Sequence, residues 1–141
     1  MIQSIYEFLR GIGFFHPLHP AITHIPMGMI VGGFLFFTAS RILRREALAA
    51  AAHSCFTLAL IFILPTMLTG IMDWQVLQDG KWIFLIKLKI TLACLLTVLL
   101  AIAVKIGSQP VSSPTLRAAL YLLCLLAAVG LGFSGGEILY G

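Results

Sequence analysis

Charged side chains are scarce in this 141-residue chain: Asp, Glu, Lys and Arg together make up 10% of it, and only five residues are acidic. Soluble domains are about a quarter charged, and a globule of this size is mostly surface. The 60% of residues that are apolar therefore cannot be hidden in water, and the bilayer has to act as their solvent. Other absences narrow the chemistry. There is no nucleophile–base pair, P-loop or HExxH, so the chain offers no support for a hydrolase or a transferase. The three cysteines, Cys55, Cys94 and Cys124, fall inside apolar runs without a CxxC, which makes them packing residues and not a disulfide or metal framework. The formal net charge of +4 comes with no basic, aromatic-interleaved stripe, so nucleic acid is not an expected partner. Glu7 and a broken apolar run argue against a cleaved signal peptide at the start.

Long apolar runs are what the sequence has in plenty. A spanning helix needs about 20 mostly apolar residues, and four segments qualify: 20–43, 47–72, 82–106 and 116–134. Backbone groups cannot stay unpaired in lipid, so these runs are helices. The links between them are short, which forces antiparallel neighbours. The expected fold is all-α: a single integral membrane domain, an up-down-up-down four-helix bundle. Ahead of it, Ile2, Ile5, Tyr6 and Leu9 fall on one side of a helical wheel and Gln3, Ser4, Glu7 and Arg10 on the other. That spacing predicts a short interfacial helix, against a frayed terminus.

Charge sets the orientation. Arg41, Arg44, Arg45, Lys105 and Arg117 gather on one side against Glu46, whereas the other side balances its charges. Positive loops stay in the cytoplasm. Both termini and the 73–81 link are therefore expected outside, on the periplasmic face of a bacterial inner membrane, with Trp74, Trp82 and Tyr140 as an aromatic belt.

Ionisable groups inside a membrane are costly and are functional candidates by default. His16, His19 and His24 crowd the start of the first span, and His53 lies early in the second. His16 and His19 either cap the first turn or contribute ligands. His24 precedes Pro26, which frees the carbonyl of Ile22, and sits above Gly28 and Gly32 at i+4 and i+8. Those glycines either admit a neighbouring helix, with His24 bonding across, or clear room for a flat macrocycle whose iron His24 holds. His53 lies roughly 15–20 Å deeper at 1.5 Å rise per residue, so it shares no iron with His24. It is expected to bond a backbone carbonyl, Ser40 or Thr38, or else to serve a second site. Asp73, Lys87, Lys89 and Glu137 collect at the level of the first three histidines, with Lys87 expected to pair with Asp73, Glu137 or an anionic cofactor group. Gly130-Leu-Gly-Phe-Ser-Gly135 matches GxGxxG, but no strand–helix unit surrounds it and the match is rejected.

Three motifs in order, His16-Pro-Leu-His-Pro-x-x-x-His24-x-Pro26, Thr69-Gly-x-x-Asp73-Trp74 and Gly135-Gly-Glu137-x-x-Tyr140, make nearly the whole chain resemble the four-helix membrane proteins called domain of unknown function 2231. The resemblance implies a four-span bundle and, through members joined to iron–sulfur modules, a link to membrane electron transfer. By position it implies roles for His16, His19, His24, Asp73 and Glu137. Where many members of that family carry a histidine near the start of the third span, this chain has Lys87 and Lys89.

The resulting expectation is a redox-associated membrane protein, an electron-transfer or accessory protein and not a stand-alone enzyme. It would bind a b-type haem or a transition metal near its outer face. His24, His19 and His16 are the ligand candidates, with His53 and Lys87 as further cofactor contacts and Asp73, Glu137, Gly28 and Gly32 as supports. Quinol or a redox protein would be the partner. The alternative is a cofactor-free structural or assembly subunit, a homo-oligomer or part of a membrane complex, packing through Gly28/Gly32 and Gly132/Gly136. A transporter is a weaker third, since only Pro65 hints at a broken helix.

Overall fold

The computed structural model describes residues 2–13, 17–77, 79–109 and 113–140, with the side chains of 77 and 135–140 outside the description. Among the described residues five helices follow one another: α1 (Ile2–Gly11), α2 (Leu18–Leu43), α3 (Glu46–Leu77), α4 (Phe84–Gly107) and α5 (Pro114–Tyr140). Among the described residues there is no strand. Four helices are long and apolar enough to cross a membrane, and α1 is too short to do so.

Packing closes the four long helices into a ring. α2 lies against α3, α3 against α4, α4 against α5, and α5 back against α2, while α1 rests on α3. Large apolar side chains on the outside, among them Leu35, Ile61, Leu64, Phe84 and Phe133, are exposed, as a lipid-facing surface requires. Inside, Ile30, Phe37, Phe56, Leu96, Leu100, Tyr121 and Cys124 form a continuous core. Tyr121 stacks on Phe56 with ring centroids 3.9 Å apart and meets Phe37 edge-on at 5.0 Å. Gly33 makes this possible, because a Cβ there would stand 2.8 Å from the Phe56 ring. Of the cysteines, Cys124 is in the core, Cys55 is half-buried and Cys94 is exposed, all as free thiols.

The turns are tight. Only Arg44 and Arg45 separate α2 from α3. Arg44 adopts the left-handed conformation (φ 53°), and the amides of both arginines reach the Ser40 carbonyl. This caps α2 and reverses the chain. At the other end α3 runs past residue 72 to Leu77, so Asp73 and Trp74 belong to the helix and not to the loop. The Trp74 indole N–H donates to the Lys81 carbonyl at 2.9 Å, and Trp74 meets Trp82 edge-on at 4.5 Å. The two rings tie the α3–α4 loop to the helix it leaves.

Candidate functional site

The first turn of α2 begins after Pro17, which offers no side-chain cap. Its starting amides are satisfied from another helix. Asp73 of α3 accepts the Leu18 amide on Oδ1 at 3.2 Å and the His19 amide on Oδ2 at 2.9 Å. A carboxylate at the positive end of a helix is favourable twice over, through charge and through the hydrogen bonds. The Tyr6 hydroxyl of α1 donates to the same Oδ1. Tyr6 is buried beneath α1, and its phenol titrates well above the ordinary tyrosine range because burial, and then the hydrogen bond and charge of Asp73, oppose its ionisation.

His19 follows directly. Its Nδ1 lies 2.9 Å from the Thr66 carbonyl of α3. A carbonyl can only accept, so Nδ1 carries the hydrogen and the lone pair of the neutral ring sits on Nε2. Among the described residues Nε2 makes no hydrogen bond. The ring lies over Gly70, where a Cβ would stand 3.0 Å from Nδ1. Thr66, Gly70 and Asp73 recur at i, i+4 and i+7, one face of α3, so this stripe gives the ring an acceptor, a gap and a carboxylate in succession. Thr66 turns its own hydroxyl back to Phe62 at 2.7 Å, leaving its carbonyl to His19 and to the Thr69 hydroxyl.

Lys89 of α4 completes the cluster. It is half-buried and acts electrostatically on both Asp73 and His19. Lys87, the lysine expected to pair there, is exposed. The helical phase of α4 turns it away, since residues two apart face different sides.

The remaining candidates are dispersed. His24 is exposed on the outer surface of α2 and makes no hydrogen bond among the described residues. Gly28 and Gly32, the glycines following it, would meet nothing within 4 Å if given a Cβ. Gly132 is taken up within the chain, its Cβ position lying 2.8 Å from the Met27 methyl. His16 and the Glu137 side chain lie outside the described residues. His53 stands near the opposite end of the bundle. It does not bond Ser40 or Thr38, whose hydroxyls bond Phe37 and Phe34 carbonyls of their own helix. Its Nδ1 is buried without a partner among the described residues, and both it and the Tyr121 hydroxyl lie against Gly107. No group of three or more His, Cys, Asp or Glu side chains suited to a metal ion occurs among the described residues.

Tyr6 and Thr66 are members of the cluster that the sequence did not single out, and Lys89, though placed at the right level, was not among the site candidates. Tyr6 counted as part of the apolar face of α1, and its hydroxyl gave no sign of a target 67 positions away. For Lys89, the two-residue offset from Lys87 showed that only one of the pair could face the site, but not which.

Fold and cluster together define a small helical membrane protein with four spans and a polar site at one end of the bundle. Residues 15–140 match the family of domain of unknown function 2231, described as a predicted membrane protein, and the chain belongs to that family. No curated protein and no solved structure matches it.

Proposed function

We propose that this protein is a redox-associated membrane protein that carries a b-type haem at the His19 end of the bundle and takes part in membrane electron transfer. The observation supporting this is the Nδ1–H of His19 donating to the Thr66 carbonyl at 2.9 Å. A backbone acceptor on one nitrogen orients the ring and leaves the other free, the usual state of a ligating histidine. Asp73 fixes the backbone that bears the ring, and Lys89 supplies positive charge beside it. A structural metal ion wants about four donors, and the described residues do not assemble them. A haem takes one or two ligands from protein, and His19 would be one of them. When bound, the haem would supply one-electron transfer, with His19, Thr66 and Asp73 holding and orienting it. The electron source would be quinol or a redox protein. The charge asymmetry of the turns supports an orientation with both termini and this site on the outer side, which is the periplasm in a bacterial inner membrane.

Purification of the whole chain in detergent tests the reading. A Soret band with sharp reduced α and β bands, lost in His19→Ala and kept in Lys87→Gln, is the expected result. A colourless protein from haem-replete cells overturns it.

A second reading rests on the uncovered face of α2. His24, Gly28 and Gly32 are open in the chain, and an imidazole without a partner is unfavourable in lipid. They suit close packing in a homo-oligomer or a larger membrane complex, as a structural or assembly subunit would use. Cysteine cross-linking at Gly28 in membranes separates the two readings, because it reports contact between copies whether or not haem is present.

A further inference from the structure

The turn between α2 and α3, at the far end of the bundle from His19, forms a cleft of about 490 Å³ lined by Ser40, Arg41, Arg44, Arg45, Glu46 and Ala49. Three arginines and one glutamate line it. Among the described residues none of the three makes an ion pair or a side-chain hydrogen bond. Glu46 stands in the first turn of α3, where the positive end of that helix favours it, and it does not neutralise the arginines. The Ser40 hydroxyl is already committed to the Phe37 carbonyl at 2.6 Å. The left-handed Arg44, whose amide and that of Arg45 meet on one carbonyl, makes the reversal that sets two guanidinium-bearing residues side by side at the cleft.

We propose that this cleft binds the phosphate headgroup of an anionic glycerophospholipid. Guanidinium groups match phosphate oxygens in paired hydrogen bonds, and basic pockets at the ends of spanning helices recognise anionic headgroups. What favours a lipid over a soluble anion is the apolar end of α2 next to these arginines, where Ile42 and Leu43, between them in sequence, are 74% and 58% exposed. A headgroup in the cleft leaves its acyl chains against that apolar end. The site is independent of His19 and of any haem.

Native mass spectrometry of the detergent-purified full chain, offered phosphatidylglycerol or phosphatidylcholine, tests the proposal. The wild type is expected to retain phosphatidylglycerol at least about tenfold more strongly, the size of one lost charged contact. Arg41→Gln/Arg44→Gln/Arg45→Gln should abolish the preference, and Lys81→Gln, at the other end, should not. Should the triple variant misfold, the wild-type preference still decides. Equal retention of the two lipids overturns the proposal. So does full displacement of the lipid by millimolar inorganic phosphate, which would make the site one for a free anion, and so does an unchanged preference in a folded triple variant.

Discussion

The two ends of the bundle solve the same problem differently. At the His19 end, polar groups from α1, α2 and α3 converge, and the Asp73 carboxylate receives three donors while the imidazole has a fixed acceptor. At the His53 end, an imidazole nitrogen is buried with no partner among the described residues, near Tyr121, which forms an aromatic cluster with Phe37 and Phe56. A polar group in a low-dielectric interior is costly when unpaired and rigidifying when fully paired. The first end is therefore organised around its polar groups, and the second is held by packing in spite of one.

Substitutions sharpen that contrast. The largest effect is expected from Asp73→Ala, which strands the Tyr6 hydroxyl and two α2 amides at once. Each donor left unsatisfied costs about 1–3 kcal/mol where it stays buried, so a loss of several kcal/mol is expected, read as a drop in thermal midpoint in detergent. Recovery of most of that loss in Asp73→Asn would show that the carboxylate charge is dispensable.

Tyr6→Phe comes next, at about 1.5–3 kcal/mol for a hydrogen bond to a charged acceptor. It also carries a pH signature. The folded-state pKa of Tyr6 lies above the unfolded value of about 10, as burial and Asp73 dictate. The folded protein therefore holds the proton more tightly, and the stability this phenol contributes is complete below about pH 10 and declines as pH rises further. Stability measured from pH 8 to 11 should fall more steeply in the wild type than in Tyr6→Phe. Parallel curves would mean that the phenol is not held by Asp73.

The smallest effect is expected at the other end. His53→Leu removes a nitrogen that has no partner to lose, so the change should lie within about 1 kcal/mol of zero or be stabilising. A loss above about 3 kcal/mol would show that His53 has a bonding partner, and the contrast between the ends would collapse.

Sequence alone made the spans legible because run length is a direct consequence of bilayer thickness. The importance of Asp73 was also legible, since a carboxylate at that depth invites explanation. Its role was not. A cap for α2 supplied by α3 joins residues 55 and 54 positions apart, and local pattern carries no trace of it. The choice between Lys87 and Lys89 turned on helical phase, which loop boundaries uncertain by a residue or two obscure. His53 seemed able to reach Ser40 or Thr38, but both hydroxyls had nearer carbonyls within their own helix, as serine and threonine in helices commonly do.

The capping of α2 by Asp73 bears on how the protein is made. Ribosomal synthesis delivers α2 before α3, so the leading amides of the first span lack their protein acceptor, Asp73, and rely on water or headgroups until the second span has followed. Satisfaction of those amides thus coincides with arrival of the second span, and the two-residue reversal at Arg44 and Arg45 keeps the pair from separating meanwhile. The productive unit of insertion is the hairpin of both helices, and a chain halted after Leu43 would leave its first segment unfinished.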